Sequence, residues 1–183
     1  MSIEYDEHSI KRLSTEESVD SIFLREMKEI IYGYKGASYI KFLNLAVGIE
    51  YLGACLDQHE FNSEGHSEDR FNNALKKLFP KKYKKHANSN ADVYLYEKFR
   101  CAFIHQLRPG NNIVVTHRDE SNREGTTHLK SSESGYFVLI LEDFFDDFEQ
   151  ACNKLYRLKE NGKLPTNKMS QDYIMYINIK ENK

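Results

Sequence analysis

The segment ASYIKFLNLAVGIEYLGACLD, residues 37–57, carries apolar side chains around most of a helical circumference. A helix of that kind is stable only where neighbours cover it on several sides. It is therefore expected to be the central, most buried element, and other helical patterns in the chain supply its neighbours. STEESVDSIFLREMKEIIYGYKG opens on Ser14 with Glu17 three residues later, the spacing of a reciprocal cap. Ile22, Phe23, Met27, Ile30, Ile31 and Tyr34 then follow at helical spacing. After the polar loop DQHEFNSEGHSED, a shorter helix ends at Pro80 with Phe71, Leu75 and Leu78 on its inner face. A fourth helix spans roughly Ala91 to Leu107, capped by Asn90 or Asp92 and stopped by Pro109 and Gly110. A fifth runs from Glu142 to about Lys159, with Phe144, Phe148, Ala151, Cys152 and Leu155 as its stripe. Its acidic start, EDFFDD, complements the helix dipole.

The period changes over residues 112–141, where NIVVTH, GTTHLK and GYFVLIL are short β-prone runs. They predict a small β-hairpin inserted between helices, with His117 and His128 facing each other on a polar sheet face. In the tail, residues 161–183, DYIMYINIK fits either a strand or a short amphipathic helix. With no internal repeat, the fold class is mainly α: one domain over residues 1–183, a bundle of about five helices with a minor β element.

Hydrophobic residues make up 40% of the 183, enough for a core without disulfide or metal staples. Cys55, Cys101 and Cys152 are odd in number, lie in apolar contexts and form no C-x-x-C pair. They read as buried thiols of a cytoplasmic protein. The polar start MSIEYDEHSIKRLSTEES lacks the apolar core of a secretory signal, and no run of 18 apolar residues suggests a membrane span. A net charge of −2 argues against a protein that coats nucleic acid non-specifically. His8, His59, His66, His86, His117 and His128 show no metal-ligand spacing, so neither a metal nor another cofactor is expected. Phosphate-loop, G-x-S-x-G and H-E-x-x-H motifs are absent.

The fourth helix holds the chemistry. In YEKFRCAFIHQLRPG, residues 96–110, Leu95, Phe99, Ala102, Phe103 and Leu107 form the core stripe, and Arg100 and His105 lie outside it. On an ideal α-helix the two are about 140° and about 7.5 Å apart, flanking a second face of Cys101, Ile104 and Arg108. That second face is partly apolar and needs a partner, either another helix of the chain or a second copy. If two copies met around a two-fold axis, each Arg100 would approach the partner's His105 in a cleft suited to a phosphodiester. The structural alternative pairs Arg100 with Glu97 and lets His105 cap a carbonyl near the helix end.

R-x4-H near the end of a helix, with an aromatic lead-in and a break after it, resembles the signature of the HEPN superfamily (higher eukaryotes and prokaryotes nucleotide-binding). The preceding buried helix with Glu50 is also similar, and the likeness covers about Ser14 to Lys159. It implies a homodimer whose paired motifs form a metal-independent endoribonuclease site, in a toxin or defence context with RNA as substrate and an antitoxin or other protein as partner. His105 would be the general acid and base, and Arg100 would hold the phosphate, with support from Glu50, Cys101 and Arg108. The position after the arginine, commonly polar in active members, is Cys101 here. The alternative for this chain is a non-catalytic binding and dimerisation module of the same fold, whose second helix face binds a partner or its own copy and in which Cys101 reflects a decayed active site. Beside the motif, KKLFPKKYKKH packs six lysines into eleven residues. Lys81, Lys82, Lys84 and Lys85 could track an RNA backbone while Phe79 and Tyr83 stack bases; the alternative is a solvated turn.

Overall fold

The computed structural model describes residues 10–34, 36–164, 168–170 and 172–177, and within them the protein is mainly α. His8 and residues 178–183 of the tail lie outside the described residues. Helix α1 runs over 15–33. Ser14 stays extended while its hydroxyl accepts the Glu17 N–H, and the Glu17 carboxylate accepts the Ser14 N–H at 2.8 Å. The S-x-x-E pattern thus forms the reciprocal cap it predicts. Between Val19 and Glu26 the helix widens to π geometry, and the Met27 N–H reaches Ile22 O, five residues back.

Helix α2, Ser38–Ala54, buries Phe42, Leu45, Ala46, Ile49 and Leu52. It is not enclosed on all sides, because Tyr39, Ile40 and Val47 remain 50%, 47% and 48% exposed. Helix α3, Ser67–Lys77, crosses its end so closely that a Cβ on Gly53 would lie 1.8 Å from the Arg70 carbonyl oxygen. Arg70 is anchored at that crossing, donating to Asp57 at 2.7 Å and to the carbonyls of Phe61 and Glu60 at 2.9 and 2.7 Å. Lys168 adds a second cation on Asp57 at 2.7 Å. Burial alone would raise the Asp57 carboxyl, but these two partners hold it below the usual carboxylate range.

Helix α4 covers 96–106 and starts later than the spacing predicts. Residues 91–94 are held out of it by side-chain bonds: His86 donates to Val93 O at 3.1 Å, and Tyr94 donates to Glu68 at 2.5 Å and accepts from Asn72 at 2.7 Å. Neither Asn90 nor Asp92 is the cap; Leu95 is, without a side-chain bond. The helix ends at Leu107, which turns left-handed (φ 54°) and is 55% exposed, so it leaves the predicted core stripe.

The expected hairpin is corrected. Strand β2, Ile113–Thr116, pairs in parallel with β3, Phe137–Ile140, in the register Ile113 to Phe137. Parallel neighbours require a crossover, and here it carries helix α5, Arg118–Glu124, closed by Gly125 at φ 63°. Asp119 and Glu120 sit in its first turn, where the dipole favours them. GTTHLK does not form a strand; Leu129 adopts φ 61°, and its N–H bonds to Val138 O at 2.9 Å from irregular backbone. His117 and His128 therefore do not face each other. β3 runs directly into helix α6, Leu141–Glu160, whose Phe144, Phe145, Phe148, Ala151, Cys152 and Leu155 join the core. In the tail, Asp172–Ile177 is a strand, antiparallel to Ile10–Ser14, the first strand among the described residues. Cys55 and Cys152 are buried and Cys101 is half-buried, all three unbridged. Among the described residues no helix is long and apolar enough to cross a membrane.

Candidate functional site

Phe99 and Phe103 fix α4 in place. Their rings lie 6.2 and 5.8 Å from Phe42 of α2, and Phe99 is 5.1 Å from Phe144 of α6. Each fully buried side chain of this size contributes roughly 1.5–3 kcal/mol, so the rotation of α4 about its axis is set by packing. Its Tyr96–Cys101 stretch is π-helical, the Ala102 N–H reaching Glu97 O. A π turn holds more residues than an α turn; Arg100 and Cys101 belong to it while Ala102–Gln106 is α-helical, so the step from Arg100 to His105 departs from ideal α geometry at its start.

Arg100 is paired with Glu50 on α2, not with Glu97. Its Nε donates to Glu50 Oε2 at 2.7 Å, a terminal nitrogen reaches the same oxygen at 2.6 Å, and the guanidinium lies 5.5 Å from the Tyr96 ring centre. Burial opposes the charge on Arg100, and Glu50 more than offsets it, raising the guanidinium above its ordinary pKa. Burial, then the neighbouring Cys101, pushes the Tyr96 hydroxyl up to about 12, so it is neutral at physiological pH. His105 is exposed, beyond the π stretch, and its side chain makes no hydrogen bond or ion pair with any described residue. Arg108 is exposed, and its Nε donates to Gln106 at 3.1 Å. Arg100, Glu50, Tyr96 and Cys101 are thus brought together, whereas Arg100 leans back toward Tyr96 and makes no bond with His105.

The lysine run forms a 3-10 turn, Lys81–His86. With three residues per turn, Tyr83 and His86 face inward, while Lys81, Lys82, Lys84 and Lys85 stay exposed. Tyr83 and Phe79 are core residues at 0% and 3% exposure, which corrects the expected base-stacking role. Lys82 is held by Asp147 at 2.6 Å. The Tyr83 hydroxyl donates to Asp147 at 2.8 Å and accepts from His128 Nε2 at 2.8 Å. His128 Nδ1 accepts the Ile140 N–H at 2.9 Å, so its single proton sits on Nε2.

Burial, then Lys82 and His86, pulls the His128 imidazole down to about 3 from an ordinary 6.5. The unfolded chain therefore takes up a proton that the folded one refuses. The stability this group contributes is complete above about pH 6.5 and declines by roughly 1.4 kcal/mol per pH unit as pH falls toward 3. Urea midpoints measured between pH 7 and pH 4 should fall accordingly, and the fall should be shallower in His128→Gln, which has no imidazole to protonate.

A third arrangement was not signalled by the sequence. His117 stands between Ser38 and Glu142, its Nε2 2.7 Å from Ser38 Oγ and its Nδ1 2.8 Å from Glu142 Oε1. Among the described residues, no group of three or more His, Cys, Asp or Glu side chains is placed to hold a metal ion. Comparison of the chain with protein-family models, with curated proteins and with solved structures finds no match.

Proposed function

We propose that this protein is a HEPN-type, metal-independent endoribonuclease that works as a homodimer in a toxin or defence setting. The observation that carries the reading is the Arg100 to Glu50 pair beside an uncovered apolar stripe, with His105 exposed past it. Ile40, Leu43 and Val47 follow one another at i, i+3 and i+7 on α2, and the same face leads to Glu50. Half-buried Cys101 and Ile104 continue the apolar surface on α4. Such a surface on a monomer marks an interaction site, and a second copy is the occupant that also completes the chemistry. In an antiparallel crossing of two α4 helices, Arg100 of one protomer lies opposite the partner's His105. Glu50 holds the guanidinium in a fixed orientation for the scissile phosphate, and the imidazole moves the proton of the ribose 2′-oxygen.

A second reading, a dimer without turnover, is favoured by Cys101 at the position that is commonly polar in active members of the superfamily. Both readings require the dimer, and only the first requires cleavage. Val47→Glu places a charge in the middle of the stripe. Sedimentation should show a dimer for the wild type and a monomer for the variant, and cleavage of a fluorescent RNA in chelator should disappear with the dimer. A wild type that sediments as a monomer overturns both readings. A dimer that leaves every RNA intact selects the second.

A further inference from the structure

We propose that Ser38, His117 and Glu142 form a hydrolytic triad that cleaves short-chain carboxylic esters, a site separate from the Arg100 and His105 cleft. Three elements that are distant in sequence converge on it. Ala37, at φ 56°, turns the chain sharply so that Ser38 is the first residue of α2. His117 is the extended residue between β2 and α5 (φ −101°, ψ 158°), and Glu142 lies in the first turn of α6. Both ends of the imidazole are engaged at hydrogen-bond distance, 2.7 Å to Ser38 Oγ and 2.8 Å to Glu142 Oε1.

The proton positions follow from the partners. Burial alone would raise the Glu142 carboxyl, but bonds from His117, from its own backbone and from the Arg118 N–H at 2.8 Å hold it below the usual carboxylate range. Glu142 is therefore an acceptor, His117 Nδ1 carries the proton it accepts, and Nε2 presents its lone pair to the Ser38 hydroxyl. That is the tautomer a serine nucleophile requires. Arg118, bonded to Asp143 and Asp146 at 2.7 Å each, locks the start of α5 to α6 and so fixes His117 relative to Glu142.

His117 and Glu142 line a groove of about 460 Å³, whose other walls mix Tyr32 and Tyr34 with the charged Lys41, Arg118, Glu120 and Arg123; Ser38 is not on its wall and adjoins it through the 2.7 Å contact with His117. The volume admits a small ester, and the largely charged lining favours one with a short acyl chain and a small, polar alcohol. Ser38 opens a seventeen-residue helix that no side chain caps. The N–H groups of Ser38, Tyr39 and Ile40 lack intrahelical acceptors, the Lys41 N–H being the first to find one, in Ala37 O at 3.1 Å, and they are the donors nearest in sequence to a carbonyl oxygen bound at Ser38.

The reaction balances as acyl transfer. Ser38 Oγ attacks the ester carbonyl carbon while His117 Nε2 takes the hydroxyl proton. The C–O bond to the alcohol breaks, and His117 returns that proton to the departing alkoxide. Water then gives a proton to His117 and its oxygen to the acyl carbon, releasing the carboxylic acid and restoring Ser38. Ser38 and His117 are the catalytic residues, and Glu142 is a positioning residue.

The test uses p-nitrophenyl acetate and a fluorophosphonate probe on the whole chain. Wild-type protein should hydrolyse the ester and carry one probe adduct, which peptide mapping places on Ser38. Ser38→Ala should lose the adduct and about a thousand-fold or more in hydrolysis. Glu142→Gln should lower kcat by up to about ten-thousand-fold with KM unchanged, and Glu142→Asp should recover part of it, a pattern that mere loosening of the fold does not produce. The ester and the probe are read on wild type and Ser38→Ala with no RNA present, which keeps this result independent of the ribonuclease reading. A folded wild type that neither takes the probe at Ser38 nor turns over the ester faster than Ser38→Ala overturns the proposal without recourse to any variant's stability.

Discussion

Replacing His105 with alanine should abolish RNA cleavage, a loss of roughly a hundred- to ten-thousand-fold, while leaving the melting temperature and the dimer unchanged. The expectation follows from how little His105 does for the fold: it is exposed and its side chain bonds to no described residue, so its removal strands no partner. Arg100 is different. Arg100→Ala leaves Glu50, whose side chain is 20% exposed, without its cation, so loss of activity in that variant mixes chemistry with structure. Arg100→Lys keeps the charge but gives up the planar fork that grips Glu50, and it should lose activity with a smaller change in stability. The assay is cleavage of a labelled RNA in the presence of a chelator, with sedimentation as the control on assembly. Activity retained by His105→Ala rules out the assigned role of the imidazole.

Gly53→Ala should destabilise the protein by roughly 3 kcal/mol, at the upper end of the range for overpacking. On an isolated helix the same change would help, since alanine is the better helix former by about 1 kcal/mol. Here the added Cβ would meet the Arg70 carbonyl oxygen at 1.8 Å. That oxygen belongs to backbone, and the Arg70 side chain is tied to Asp57 and to two carbonyls, so α3 has little freedom to move away. The melting temperature should drop by about 6–12 °C. Gly33→Ala is the contrasting case, because a Cβ there meets nothing within 4 Å. It should be neutral or stabilising by up to about 1 kcal/mol, read in the same urea titration.

Helices were legible because their signal is local and repeated. Ser14 and Glu17 announce the start of α1, and the stripes of α4 and α6, Leu107 apart, name residues that fill the core. What failed depended on partners far away in the chain. NIVVTH and GYFVLIL do contain strands, but apolar period does not say whether two strands run parallel or antiparallel, and RDESNRE between them has no apolar stripe to announce its helix. Tyr83 among lysines carries no local sign of burial; a 3-10 turn repeats every three residues and turns it inward with His86. The π stretch under Arg100 has no residue code at all. In the same way Arg100 was visible as an anomaly, but its partner on α2 was one of several acids in reach. Ser38, His117 and Glu142 lie on three separate elements, and no spacing rule links them.

The pairing of Ile10–Ser14 with Asp172–Ile177 bears on the order in which the protein is made. The first of these strands leaves the ribosome before the second, and its pairing edge stays open while the helices between them are synthesised. Closing so long a loop costs entropy that only a preformed body offsets, which places this seam among the last steps of folding. Until then the nascent chain displays a lone strand able to pair with another copy of itself, so crowded polysomes are where misassembly of this protein should begin.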